Sequence, residues 1–173
     1  MELETRQKEF AQLIQDHRAL IFKVCHLYCK TEADREDLFQ EIVFQLWKSY
    51  ASFRGQAAFT TWMYRVALNT AISWTRKNKL GALTTYVDGL TQEGRLTDIR
   101  VQDDRATEMK EQAELLRLAI AQLSDVEKSI VMLYLEERSY EEMEAILGIR
   151  MPNLRVKMNR IKEKLRKLTH TPV

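Results

Sequence analysis

Apolar side chains recur three or four residues apart along most of the chain, with polar side chains at the positions between them. This spacing is typical of helices with one buried face, and no segment shows the alternation of period two that indicates a strand. A hydroxyl residue stands three positions before a carboxylate at Thr31, Ser124 and Ser139, which marks helix starts. The pattern predicts an all-α fold with helices over 6–29, 32–51, 58–79, 108–122, 125–137, 140–147 and 152–168.

The helical pattern stops between residues 80 and 107. This segment contains three of the five glycines and five acidic residues, and it follows neither a period of 3.6 nor a period of two. Such a composition favours a flexible linker. We therefore predict two small helical domains, an N-terminal helical bundle over 1–79 and a C-terminal helix-turn-helix domain over 108–173, joined by the acidic linker 80–107.

The outward face of the helix over 32–51 contains an unusual aromatic residue. At 100° per residue, one side of this helix is broadly apolar, as expected for core packing. Phe44 falls near the middle of the opposite, polar side. An exposed phenylalanine with a polar rim fits a protein-docking face, although single exposed apolar residues are also common on ordinary surfaces. The surrounding polar residues are Asp37, Gln40, Glu41 and Lys48.

The helix over 58–79 combines a core face with a basic face. Phe59, Trp62 and Met63 begin an apolar series at core spacing, so we expect Trp62 to pack rather than to contact bases. The neighbouring face has a composition that suits unpaired DNA, with basic groups for phosphates, an amide for base edges and, near the same end, Trp74 for stacking. A basic helix C-terminus that complements its macrodipole would explain part of this face equally well. The residues of the basic face are Arg65, Asn69, Arg76 and Lys77.

The last third of the chain predicts a helix-turn-helix unit. A short helix over 140–147 is followed by Gly148, and Pro152 stands at an acceptable first position of the next helix. Residues 150–170 contain eight Lys or Arg and one Glu, a formal charge of +7 in a chain of net charge +2. Such a charge suits an anionic duplex, although a solvated amphipathic helix is the alternative. The predicted buried stripe is Leu154, Met158, Ile161, Leu165 and Leu168.

The opposite face of this last helix has side chains suited to reading DNA. Asn153 could pair with an adenine edge, and Val156 could contact a thymine methyl group. Arg155, Lys157 and Arg160 could contact guanine or phosphate.

Composition narrows the possible classes of protein. The chain has 173 residues, 45% of them hydrophobic and 30% charged, and no apolar run approaches the ~20 residues of a membrane span. We therefore expect a cytoplasmic protein. Cys25 and Cys29 could form half of a metal site or a thiol switch, but Cys25 continues an apolar helical series, which favours burial. We predict no metal and no cofactor.

Two parts of the sequence resemble one family. DREDLFQEIVFQLWKSYASF, followed by FTTWMYRVALNTAISWTRK, resembles region two of bacterial sigma factors of the extracytoplasmic-function group. LSDVEKSIVMLYLEERSYEEMEAILGIRMPNLRVKMNRIKEKLRKL resembles region four of the same family. Together these matches cover about two thirds of the chain in the family's order. The resemblance implies a sigma factor that binds core RNA polymerase and directs promoter-specific transcription initiation.

The resemblance also implies partners and site residues. Asp37, Gln40, Glu41 and Phe44 would face the clamp helices of the largest polymerase subunit, and further contacts would reach the polymerase flap. The segment 52–60, which includes Phe53 and Arg54, would capture a flipped base of the minus-ten element. Region four would read the minus-thirty-five element. The family commonly has an anti-sigma partner, often from a membrane protein, and uses no small-molecule substrate.

Two other classes remain as alternatives. A stand-alone helix-turn-helix transcription regulator would share the C-terminal unit but should have a ligand pocket or phosphoacceptor pattern in its N-terminal half. A metal-dependent nuclease could use Asp34, Glu36, Asp37 and Glu41, although these carboxylates also suit the N-terminal end of a helix.

One departure from the family is Glu144, where a small alanine is usual; its carboxylate must reach solvent or a polar partner.

Overall fold

A computed structural model describes residues 2–55, 57–85 and 104–169. Within these ranges the chain forms eight α-helices and no strand, so the all-α prediction is confirmed. No helix in the same ranges is long and apolar enough to cross a membrane. The helices are α1 (Glu2–Asp16), α2 (Arg18–Tyr28), α3 (Glu32–Tyr50), α4 (Phe59–Thr85), α5 (Asp104–Ala121), α6 (Asp125–Leu135), α7 (Tyr140–Leu147) and α8 (Met151–Thr169).

The prediction of one helix over 6–29 was wrong, because the chain breaks at His17. This residue leaves the helical region at φ −110° and ψ 16° and becomes the N-cap of α2. Its ring lies 5.2 Å from the ring of Phe59 on α4. The apolar spacing runs through the break because α1 and α2 both pack on α3, so a single non-helical residue leaves no trace in the pattern.

The predicted linker over 80–107 is shorter than expected. Helix α4 continues through residue 85, and α5 begins at residue 104. Gly81 within α4 costs only about 1 kcal/mol relative to alanine, which is too little to end a long helix. Residues 86–103, the rest of the predicted linker, lie outside the described residues.

The three predicted helix starts are confirmed. Ser124 and Ser139 each form a reciprocal capping box, in which the hydroxyl accepts the backbone N–H of a glutamate whose carboxylate accepts the serine N–H. The Thr31 hydroxyl accepts the Asp34 backbone N–H at 3.2 Å. These bonds satisfy amide groups that have no partner inside the helix.

The Ser139 cap gives a direct test of this local stabilisation. We expect Ser139→Ala to lower the free energy of unfolding by about 1 kcal/mol, because the first turn of α7 loses its hydroxyl acceptor. Ser73→Ala, at an exposed position within α4, is the control and should leave stability within about 0.5 kcal/mol. Urea denaturation followed by circular dichroism measures both; equal midpoints would contradict the role of the cap.

Two groups of helices share a continuous core. Helices α2, α3 and α4 pack together with α1 across α2 and α3, while α6 and α7 pack with α5 around α8. We call α1–α4 the N-terminal bundle and α5–α8 the C-terminal bundle. Their largest fully buried side chains include Ile21, Leu38, Ile42, Leu46 and Met63 in the first and Ile130, Leu133, Met143, Ile146 and Leu154 in the second.

Both cysteines lie inside the N-terminal bundle. Cys25 and Cys29 are buried and unpaired, as the apolar series of α2 predicted for Cys25. The Cys29 thiol approaches the backbone oxygen of Asp34 at 3.5 Å. Burial raises the pKa of the Cys25 thiol to about 12 and that of Cys29 to about 11. Both groups therefore remain protonated and unreactive near neutral pH.

This burial predicts a labelling result. At pH 8 the folded chain should react only slowly with a thiol reagent such as Ellman's reagent, whereas the unfolded chain should react rapidly at both cysteines. The pKa values of both thiols in the folded chain lie above the unfolded value of about 8.5. The protonated thiols should therefore contribute their full stabilisation below pH ~8.5, and this contribution should be lost as the pH rises through 11 to 12. Rapid labelling of the native chain would contradict their burial.

Candidate protein-docking and nucleic-acid interfaces

The outer face of α3 presents an exposed aromatic ring. The side chain of Phe44 is 56% exposed, and Asp37, Gln40 and Lys48 beside it are also exposed. Glu41 is half-buried, and its carboxylate accepts a hydrogen bond from the Gln45 amide at 2.8 Å. The predicted polar rim around Phe44 is therefore present.

The sequence did not indicate the groove beside this ring. Three residues on the apolar side of α3 are only partly buried, namely Phe39, Val43 and Trp47. Together with Phe10 of α1 they line a shallow apolar groove next to Phe44. Phe10 packs edge-on against Trp47 with 5.0 Å between ring centroids. The groove exists because α1 lies along α3, a contact that helical spacing alone does not reveal.

The loop before α4 is fixed by aromatic rings that pack edge-on or tilted against one another. The Phe53 ring lies 4.9 Å from Trp62 and 5.6 Å from Phe59. Trp62 packs as predicted, and Phe53 is half-buried against it. Arg54 is exposed, and Gly55 adopts a positive φ of 67°, which L side chains rarely adopt. The arrangement anchors the loop by Phe53 and leaves Arg54 outside.

The predicted basic face of α4 is exposed, but the structure brings only part of it to one groove. Asn69 and Lys77 line a polar groove between α3 and α4, whereas Arg65 and Arg76 lie outside its lining, about 16 Å apart along the helix. The groove also has residues that the sequence analysis did not assign. These are Gln45 of α3 and Thr70 and Ser73 of α4. Trp74, the predicted stacking residue, and Glu41, assigned to the docking face, also line this groove.

Helices α7 and α8 form the predicted helix-turn-helix unit. Helix α7 ends at Gly148, whose positive φ of 68° satisfies the left-handed C-cap, and α8 begins three residues later. Leu154, Met158 and Ile161 are buried as expected. The opposite face is open to solvent, with Val156 50% exposed. The other exposed residues of that face are Asn153, Arg155, Lys157 and Arg160.

Contacts around α8 determine which of its basic groups point outward. The Lys162 ammonium lies 4.7 Å from the Tyr134 ring, and Lys164 pairs with Glu127 at 3.3 Å, so both contact α6. The Arg155 guanidinium lies 5.5 Å over the ring of Tyr140 on α7.

Glu144 of α7, the departure from the family noted above, forms a hydrogen bond with a backbone group. Its carboxylate accepts a hydrogen bond from the Met151 backbone N–H at 3.2 Å. A carboxylate at a helix N-terminus is favourable because it satisfies a free amide and complements the helix dipole. Glu144 therefore caps the first turn of α8.

Comparison with known proteins assigns both bundles. The model of Sigma-70 region 2 matches residues 13–80, and the model of Sigma-70 region 4 matches residues 113–165. The ECF RNA polymerase sigma factor SigW of Bacillus subtilis is 28% identical over 166 residues, covering 93% of this chain and 89% of SigW. RNA polymerase sigma factor YlaC of the same species is 30% identical over 135 residues, covering 76% and 75%.

Solved structures agree on the fold. The sigma factor RpoE of Bartonella quintana, solved in complex with the anti-sigma factor NepR, superposes with a TM-score of 0.68 at 17% identity, covering 96% of this chain and 99% of RpoE. CnrH, solved with the cytosolic domain of CnrY, gives a TM-score of 0.61 at 19% identity, covering 94% and 88%.

The two region models occur in tandem, and the first occupies the half of the chain in which a stand-alone regulator would have its sensor. The regulator alternative is therefore not favoured. The chain belongs to the extracytoplasmic-function group of RNA polymerase sigma factors, and its function is to direct transcription initiation from promoters.

Proposed function

We propose that this sigma factor docks on core RNA polymerase through the outer face of α3 and holds promoter DNA at two elements. The minus-ten element would bind along α4 and the loop before it, and the minus-thirty-five element along α8. The observation that supports the proposal most is that one face of α8 exposes basic and amide side chains to solvent, while α4 lines a separate polar groove.

The polymerase-docking face is the surface around Phe44. Its exposed ring and the adjoining apolar groove provide an anchor, and Asp37, Gln40, Glu41 and Lys48 provide a polar rim. Interfaces obtain most of their binding energy from a few such anchors. The partner surface is the pair of clamp helices of the largest subunit, with the flap as a second contact for the C-terminal bundle.

The minus-ten strand would lie along α4. The loop over 52–60 would capture the extruded base. The neighbouring unpaired strand would follow the polar groove between α3 and α4, where Asn69 and Gln45 offer amides for base edges and Trp74 offers a stacking surface. Arg54, Arg65, Arg76 and Lys77 are exposed where they can contact phosphates. Phe53 would support this strand indirectly, by fixing the loop against Trp62. Melting follows from binding to the unpaired strand and needs no ATP.

The minus-thirty-five duplex would receive α8 in its major groove. Asn153 and Val156 near the helix start suit base edges, whereas Lys157 and Arg160 suit phosphates or guanine. Arg155, held over the Tyr140 ring, has reduced freedom and is preorganised for a contact beside the helix start.

The partners follow from this assignment. Core RNA polymerase and promoter DNA are the required partners, which implies a cytoplasmic location. We add an anti-sigma factor, carried by a membrane protein, to these partners, because RpoE was solved with the anti-sigma factor NepR and CnrH with the cytosolic domain of CnrY. Sigma factors generally have no catalytic activity, and we propose no cofactor, metal or small-molecule substrate.

Run-off transcription with purified core polymerase over a library of promoters tests the proposal. We expect transcripts only from templates that contain a particular pair of elements, and only when this chain is added. The absence of both core binding and specific transcripts would refute it.

A further inference from the structure

The start of α8 differs from an ordinary helix start in the backbone donors that it offers. The first amides of a helix have no partner inside the helix, and together with the helix dipole they form a site for an anion such as a phosphate. In α8 the N–H of the first residue, Met151, already donates to the Glu144 carboxylate at 3.2 Å. The second residue, Pro152, has no N–H. The two positions nearest to the helix start therefore offer no donor to a phosphate.

Glu144 also places an unpaired negative charge at this end of the helix. Two other carboxylates of the C-terminal bundle, Glu127 and Glu142, pair with basic side chains at 3.3 and 3.1 Å. Within the residues that the structure describes, Glu144 forms no salt bridge, and its carboxylate is bonded to a backbone N–H instead. A hydrogen bond of this kind leaves the formal charge in place. The α8 start, which is positive by its dipole, thus has a full negative charge beside it.

This charge lies where α8 would meet DNA. In a helix-turn-helix unit the first helix crosses the DNA backbone, and the start of the second helix enters the major groove. Glu144 belongs to the first of these helices, α7, and its carboxylate reaches the start of the second, α8. Because the side chain is only half-buried, its charge acts on groups outside the protein. A phosphate brought to the α8 start is therefore repelled.

A phosphate at that position would compete with base reading. Asn153, the residue that we assign to an adenine edge, is the third residue of α8. A helix start that is held on the DNA backbone cannot at the same time insert its first turn towards the bases. Backbone contacts supply essentially all of the affinity for DNA of unrelated sequence. Exclusion of one such contact therefore weakens binding most where no base contact replaces it.

We propose that Glu144 is a specificity-determining residue of the unit that reads the minus-thirty-five element. Its carboxylate occupies the start of α8, excludes a DNA phosphate from that position and lowers the affinity for unrelated sequences, so that binding depends on the base contacts of α8. This inference rests on the proposed function, because it takes α8 as the helix that enters the duplex. The alanine that is usual in the family supplies neither the charge nor the hydrogen bond.

Glu144→Gln separates the charge from the hydrogen bond. The amide oxygen of glutamine can still accept the Met151 N–H, while the negative charge is lost. We expect the affinity of the full-length chain for a duplex of unrelated sequence to rise by roughly 3- to 10-fold, and the slope of log affinity against log salt to steepen by about one, because one phosphate contact is gained. Affinity for a duplex with the minus-thirty-five element identified by run-off transcription should rise by less than about 2-fold, because base contacts already hold the helix start there. Fluorescence anisotropy across a salt series measures all three quantities.

Glu144→Ala removes the hydrogen bond as well as the charge. It frees the Met151 N–H for a phosphate, so the affinity for unrelated duplexes should rise at least as much as in Glu144→Gln. Its urea midpoint should fall because α8 loses its cap, whereas that of Glu144→Gln should stay close to the wild-type value. A residue that merely supported the fold would weaken binding to every duplex when replaced, and its loss could not strengthen binding to unrelated DNA.

Glu163→Gln provides the matched control. It makes the same charge change at an exposed position of α8, about 18 Å along the helix from Met151. We expect it to leave the affinity for unrelated duplexes within about 2-fold of the wild-type value, because a charge at that distance is largely screened from the helix start. An equal gain from Glu163→Gln and Glu144→Gln would show that only net charge matters, and it would overturn the inference.

Transcription by the assembled holoenzyme gives a second readout. On promoters with one mismatched base pair in the minus-thirty-five element, holoenzyme with Glu144→Gln should lose activity by a smaller factor than wild type, because the added phosphate contact compensates for part of the lost base contact. Equal losses, with unchanged affinity for unrelated duplexes, would overturn the role of Glu144 even if transcription is directed normally. A wild-type chain that prefers no duplex and directs no specific transcription would overturn the proposed function instead.

Discussion

Replacement of Phe44 by alanine is expected to weaken binding to core polymerase by about 30-fold or more. Removal of an anchoring ring from the centre of an interface costs about 2 kcal/mol or more, which corresponds to this factor. The side chain is 56% exposed in the free protein, so its loss should leave the fold intact. Equilibrium binding to fluorescently labelled core enzyme gives the affinity, and circular dichroism gives the helical content.

A matched pair of carboxylates provides the control for this result. Asp37 lies on the Phe44 face, whereas Glu36 is exposed one position away, about 100° around the helix. Asp37→Ala should weaken binding modestly, and Glu36→Ala should not. Equal effects from both would indicate a general charge effect, and unchanged binding of Phe44→Ala would place the docking surface elsewhere.

Loss of two basic side chains from α8 is the second large effect that we expect. Arg155→Ala with Lys157→Ala should lower affinity for duplexes with the minus-thirty-five element by about 30-fold or more at low salt, because each lost contact costs about 1–3 kcal/mol. The slope of log affinity against log salt should fall by one to two, according to how many of the contacts reach phosphates. Fluorescence anisotropy across a salt series measures both quantities.

The same helix contains its own control. Lys162→Ala with Lys164→Ala removes an equal charge, but these ammonium groups contact Tyr134 and Glu127 of α6. This variant should keep most of its affinity and its salt slope. If both pairs of substitutions reduce the slope equally, the total charge of α8 matters and the outward face that we assign does not.

Helix positions and caps were predictable because their signals are local. The stripe on α8 and the capping boxes of Ser124 and Ser139 involve residues within a turn or two of each other, so spacing alone located them. The break at His17 was missed for the opposite reason. Its cause is a change in the backbone of one residue between two helices that both pack on α3.

The sequence likewise predicted some features of the candidate sites and missed others. The exposure of Phe44 and of the α8 reading face followed from helical periodicity. The groove beside Phe44 needed Phe10 from α1, and the polar groove needed Gln45 from α3 next to Asn69 from α4. Neither groove has a sequence signature, because each joins residues from separate helices.

Sequence by itself determined the helical class, the helix starts and the polar or apolar character of each face, since these depend on side chains a few positions apart. Only the tertiary structure decided that Lys162 and Lys164 contact α6 and that Glu144 caps α8. The packing of the two bundles through Lys23, Tyr28 and Arg138 was likewise decided there. These contacts join residues far apart in the chain or on different helices, and their partners are chosen by the packing of whole helices rather than by local spacing.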